Sequence, residues 1–126
     1  MSGMLSKGTV NEGEIWLAKY PLEEDSTKCI RRPVIVLYID GEDVLSVKVT
    51  RHSKRSKDPY DTPIIHWLEA GLNSVSTARV SKTIFVNIAQ FSRKIGNVYP
   101  SDFKTIQDIY VAYAIQRQKQ VRYGSP

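Results

Sequence analysis

The chain has 126 residues, 41% of them hydrophobic and 25% charged, which suits one ordinary domain and excludes both global disorder and a fibrous repeat. Eighteen Lys and Arg against thirteen Asp and Glu leave a formal charge of +5, an excess that favours an anionic partner such as nucleic acid or an acidic protein. Cys29 is the only cysteine, which excludes an intramolecular disulfide framework. With no signal-peptide core and no run of about 18 apolar residues, a cytoplasmic chain without membrane contact is expected.

The whole chain, 1–126, reads as a single domain with a flexible arm over 1–12 that settles at Gly13. Glu14 to Tyr20 is aromatic and apolar on both alternating faces, as expected of a strand covered on each side. From Pro21 to Arg31 no apolar period is sustained, and the spacing predicts a mobile surface loop. Pro33 cannot donate to a sheet ladder, so it fits as the first residue of the next strand, with Arg32 held extended before it. Strands over Val34 to Ile39 and Val44 to Val49 are joined through Asp40-Gly41-Glu42-Asp43, where the glycine supplies a tight turn. Such a hairpin places Arg32 beside Thr50.

Arg51 to Asp61 contains Pro59 and a run of basic residues, and is expected as a loop. A short strand over Thr62 to His66 follows, then one helical turn or compact bend over Trp67 to Leu72 capped by Gly71. Ser76 to Val80 and Thr83 to Ala89 read as two strands divided at Ser81-Lys82, and Arg93 to Gly96 as a loop. Ser101 as N-cap and Asp102 in the first turn open a helix in which Phe103, Ile106, Ile109 or Tyr110, Tyr113 and Ala114 recur at helical spacing to about Gln118. Residues 121–126 are expected to fray. The fold class is mainly β: about five to seven strands in a small bent sheet or SH3-like barrel, with one long C-terminal helix closing over it.

Arg32 offers a planar, permanently charged fork able to hold two phosphate oxygens and to stabilise charge that builds on phosphorus. The competing role is a salt bridge to Glu23, Glu24 or Asp25 in the adjoining loop. Thr50 can donate a hydroxyl to the same phosphate. His52 or Ser53, directly beyond it, is a candidate for proton transfer or positioning. Arg31, Arg51, Lys54, Arg55, Arg79 and Lys82 are candidate backbone-binding residues, and together with Arg93 and Lys94 outline an extended basic surface. Trp16, Tyr20, Tyr60, Trp67 and Phe91 offer rings that either stack on bases or fill the core. No His/Cys cluster has zinc spacing and no Gly-rich phosphate loop is present, so a mechanism free of metal and cofactor is the simplest expectation.

The order Gly13-Glu14-Ile15-Trp16, a polar loop, Arg32-Pro33-Val34-Ile35-Val36-Leu37 and a strand ending at Thr50 resembles the MazF/PemK family of toxins from bacterial type II toxin–antitoxin systems. Ala78-Arg79-Val80-Ser81-Lys82, Arg93-Lys94-Ile95-Gly96 and Ser101-Asp102 look like PemK-type members, so the likeness runs from about Gly13 to Ile115. It implies a homodimeric, metal-independent endoribonuclease that cuts single-stranded RNA at short motifs, leaving a 2′,3′-cyclic phosphate and a 5′-hydroxyl. It also implies that Arg32 and Thr50 are the catalytic pair, that the Leu22 to Arg31 loop gates the RNA groove, and that an antitoxin with a disordered acidic tail blocks that groove. Thr50-Arg51-His52-Ser53 departs from members that carry another hydroxyl or amide beside the threonine, which leaves the partner of Thr50 between His52 and Ser53. Gyrase poisons of the CcdB kind share the fold without doing chemistry, and a silent nucleic-acid-binding module is a third possibility.

Overall fold

The computed structural model describes residues 10–51 and 57–122. Its strands are β1 (Glu14–Pro21), β2 (Cys29–Asp40), β3 (Asp43–Thr50), β4 (Asp61–Pro63), β5 (Thr77–Asn87) and β6 (Phe91–Asn97), followed by one helix, α1 (Pro100–Arg122). They form a six-stranded antiparallel sheet in the order β4-β5-β3-β2-β1-β6. β4 and β6 are free edges, so the expected mainly-β fold is an open sheet and not a closed barrel.

Side chains alternate between the two faces of the sheet. Ile15, Ile35, Leu37, Val47, Val49, Ala78 and Val80 point one way and are covered by Ile106 of α1, with Phe103, Ile109, Tyr110 and Tyr113 packed alongside. Trp16, Ala18, Tyr20, Val34, Val36 and Val44 point the other way and form a second apolar cluster with Val86 and Phe91. Trp16 and Phe91 meet edge to face at 6.1 Å between ring centroids. Both faces of the central strands are therefore filled, which is why β3 is buried from Val44 to Val49.

Several expected boundaries move. The stretch anticipated as a mobile loop from Pro21 to Arg31 is mostly ladder: Lys19 pairs with Arg31, Tyr20 with Ile30 and Pro21 with Cys29. Only residues 22–28 remain as a turn, closed by Leu22 N to Lys28 O at 2.9 Å and Lys28 N to Asp25 O at 3.0 Å. Residues 93–96 are strand and not loop, because the outer edge of β1 supplies ladder partners to Arg93, Lys94 and Gly96. The two strands expected on either side of Ser81-Lys82 are one strand, β5; the break survives as a register shift between Ser46 and Lys48 of β3. Tyr20 donates its hydroxyl to the Lys82 carbonyl there.

α1 begins at Pro100 and not after a Ser101 cap, since proline's missing N–H is no loss in a first turn. It also runs past Gln118 to Arg122. Asp102 does more than complement the macrodipole: its Oδ2 accepts from the His66 N–H at 2.8 Å, tying the helix start to the bend over residues 66–72. That bend presses its backbone on β6. A Cβ at Gly96 would lie 2.1 Å from the Ala70 carbonyl oxygen, and one at Gly71, where φ is +91°, would lie 2.8 Å from that of Ile95.

Gly96→Ala is expected to lower stability by about 3 kcal/mol, because the obstacle is backbone that cannot swing aside; urea unfolding measures it. A second expectation concerns Glu14, whose carboxylate accepts from Trp16 Nε1 at 2.9 Å and lies 3.1 Å from Lys94 Nζ. Burial pushes its pKa up, but hydrogen bonds from Trp16, Asn11 and Lys94 outweigh that and hold it below the ordinary value. The unfolded chain then binds the proton more readily, so this contribution to stability is complete above the unfolded pKa and fades as pH falls through the folded one. Urea midpoints should fall on acidification below about pH 5, the region of ordinary carboxyl titration, and Glu14→Gln should remove part of that fall.

Candidate functional site

The β2–β3 register pairs Val34 with Lys48 and Ile35 with Val47. Continued by two residues along each antiparallel strand, it sets Arg32 opposite Thr50, as the hairpin argument expects. Because alternation is kept, Arg32, Lys48 and Thr50 share the face of Val34, on the side of the sheet away from α1. The helix that closes over the sheet leaves this hairpin end open: α1 packs against β5 and β4 on the opposite face.

Arg32 and Thr50 both line a cleft of about 710 Å³, together with Glu23, Glu24, Arg31, Lys48, Arg51 and Arg79 among others. Arg32 is half-buried, and its Nη1 donates to the Val49 carbonyl at 3.4 Å. The alternative role is not the one it plays, because the Glu23 carboxylate goes elsewhere: to Lys48 Nζ at 2.8 Å, to Lys82 Nζ at 3.6 Å and to Arg79 Nη1 at 3.8 Å. Burial lowers the Arg32 pKa, the Tyr20 phenol and Glu23 carboxylate oppose that, and Arg79 adds to it. A partly dehydrated guanidinium beside other cations is an anion site.

Arg79 departs from the basic-surface expectation. Its side chain is 9% exposed, with Nε 2.8 Å from Asp61 Oδ1 and Nη2 3.5 Å from Asp58 Oδ2. Burial alone would lower its pKa, but the Asp61 hydrogen bond and the neighbouring charges of Asp61, Glu23 and Asp58 raise it. It is a buried anchor between β5 and β4 that also forms one wall of the cleft. Lys82 is half-buried and paired with Glu23; Arg31 and Arg51 are exposed at the cleft. Lys94 is drawn to Glu14, so the second basic cluster is largely neutralised. His52, Ser53, Lys54 and Arg55 lie outside the described residues.

Of the candidate stacking rings, Trp16, Tyr20 and Phe91 are buried in the apolar cluster, and Tyr60 and Trp67 are partly buried against the other core. His66 stacks on Tyr99 at 4.0 Å between ring centroids. Two cleft residues were missed by sequence reasoning, Lys48 and Glu23. Lys48 had a signal: a lone charge in the apolar strand Val44 to Val49, one alternation before Thr50 and so on its face. Glu23 had none beyond its place in an acidic loop. Among the described residues no group of His, Cys, Asp and Glu is arranged to hold a metal ion, and no helix is long and apolar enough to cross a membrane.

No protein-family model and no curated protein sequence matches the chain. Solved structures do. The Mycobacterium tuberculosis toxin MazF-mt6 superposes with a TM-score of 0.62 at 19% identity, over 79% of this chain and 94% of that one. MazF from Deinococcus radiodurans gives 0.65 at 11% identity, over 82% and 94%. An endoribonuclease in complex with its cognate antitoxin, from a mycobacterial species, gives 0.65 at 12% identity, over 84% and 95%. With 79–84% of this chain and 94–95% of those chains covered, the chain has the fold of the MazF toxins.

Proposed function

We propose that the chain is the toxin of a type II toxin–antitoxin system, acting in the cytoplasm as a metal-independent endoribonuclease on single-stranded RNA. The observation that carries this reading is the meeting of Arg32 and Thr50 in one cationic cleft. A half-buried guanidinium next to a half-buried hydroxyl suits a scissile phosphodiester. The MazF fold and the sequence resemblance supply the reaction class.

In this reading the substrate's own 2′-oxygen attacks the adjacent phosphorus and the bond to the 5′-oxygen breaks, leaving a 2′,3′-cyclic phosphate and a 5′-hydroxyl. The 2′-hydroxyl proton leaves as the P–O bond forms, and a proton reaches the departing 5′-oxygen. Thr50 holds a non-bridging oxygen. Arg32 stabilises the added negative charge on phosphorus and is assigned to donate toward the leaving oxygen. His52 or Ser53 is assigned to proton transfer or positioning beside Thr50. Arg31, Arg51, Lys54, Arg55 and Lys82 are assigned to the RNA backbone. The previously assigned Arg79 is given a supporting role in the cleft wall, since two carboxylates already hold it. A homodimer and an acidic antitoxin complete the reading, the latter suited to the same cations that attract RNA.

Purified wild type with a long single-stranded RNA and a chelator should give 5′-hydroxyl products, and Arg32→Ala should cut about 10²- to 10³-fold more slowly. Absence of cleavage by wild type, or equal cleavage by both, would remove the enzyme assignment. DNA breaks that require gyrase, with RNA intact, would instead mark a CcdB-like poison.

A further inference from the structure

Among the described residues, Lys48 is the one cation of the cleft that the family-type chemistry above leaves idle. It stands on β3, inside the sheet between β2 and β5, and its side chain is only 9% exposed. The register sets it between Val34 and Arg79, on the face of Thr50, and it lines the cleft with Arg32. An ammonium drawn out of water is costly unless an anion accompanies it. Glu23 Oε2 fills that role at 2.8 Å.

The carboxylate has an unusual origin for a buried lysine's partner. It comes from the turn over residues 22–28, outside the sheet, and its side chain is 46% exposed. The Lys48 hydrogen bond lowers its pKa and burial opposes that only in part, so it is an anion at neutral pH. Arg79 is held independently by Asp58 and Asp61 and does not depend on Glu23 for neutralisation. Among the described residues, Lys48 has Glu23 as its ion-pair partner.

We propose that Lys48 binds a backbone phosphate next to the one held by Arg32 and Thr50, and that Glu23 is its internal counter-ion, which the phosphate replaces when single-stranded RNA enters. The proposal rests on the ribonuclease reading. A phosphodiester and a carboxylate carry the same single charge and offer the same kind of oxygen acceptor, so the exchange never leaves the lysine buried and unpaired. Release of Glu23 is inexpensive, because a half-exposed carboxylate returns to water and exposed ion pairs contribute little. The turn that carries it is closed by its own backbone bonds and can shift without unzipping β1 from β2. Lys48 is thus kept neutralised, until RNA enters, by a tethered mimic of its ligand.

The test uses the full chain and a labelled, random-sequence 2′-O-methyl oligoribonucleotide, which cannot be cut, read by fluorescence anisotropy across a salt series. Lys48→Met should bind about tenfold more weakly, the worth of one charge-assisted contact, and its log Kd should change with log salt by about 0.7 less than that of wild type. Glu23→Gln, freed of the competitor, should bind more tightly than wild type. The paired variant Glu23→Gln/Lys48→Met removes the buried ammonium together with its counter-ion, while Asp58 and Asp61 still hold Arg79, and so guards against a folding defect. It should bind as weakly as Lys48→Met, whereas wild-type affinity in the pair would reduce the contact to a structural one. Unchanged Kd and salt slope in Lys48→Met, or weaker binding by Glu23→Gln, would overturn the proposal while RNA cleavage by wild type kept the nuclease reading alive. Wild type that neither binds this oligonucleotide nor cuts RNA would overturn both.

Discussion

The pairing of Val34 with Lys48 is the constraint on which the rest of the site depends. It fixes which residues of β2 and β3 face each other, and alternation then assigns each one to the helix side or the cleft side. A slip of one residue would send Val47 and Val49 into the cleft and Lys48 under α1, so burial of the apolar set specifies the position of the charges. The cleft end of the hairpin inherits its geometry from apolar contacts farther along the same strands.

Across the sheet that same row continues, from Trp16 through Val34, Lys48 and Arg79 to Asp61. It passes from an aromatic core residue to a buried ion pair within five strands. The gradient explains how one face can hold both an apolar cluster and an ionic cleft: Trp16, Val34 and Phe91 fill the β1–β6 side, while Arg79, Asp61 and Asp58 serve the β4–β5 side. Lys48 and Arg32 sit where the two meet. A low-dielectric wall on one side strengthens the field of cations on the other.

Much of this was legible in the sequence, for reasons that can be located. The hairpin was legible because two apolar runs flank a glycine-containing turn, and α1 because its apolar residues keep a helical period. β6 was not, since Arg93 and Lys94 read as loop residues; only the exposed edge of β1 makes that segment a strand. The strand character of Cys29 to Arg31 was hidden for the same reason: it comes from partners on β1 and not from local propensity. Arg32 and Thr50 were found because a turn brings them together locally. The Glu23, Lys48, Lys82 and Arg79 group unites the turn after β1, β3 and β5, and nothing in their spacing along the chain reveals the meeting.

The irregular stretch of β5 has a consequence for how such a chain can change over generations. Register with β3 is left at Lys48 and Arg79 and regained at Ser46 and Ile84, so the residues between are not locked to individual partners. Length can be gained or lost there without turning any flanking core side chain toward solvent. Ser81 and Lys82 lie in that stretch, bonded to Asp58 and to Glu23, the latter a lining residue of the cleft. A stretch able to absorb a change of length thus lies close to the cleft, and descendants of one scaffold can reshape its surroundings while the sheet beneath keeps its packing.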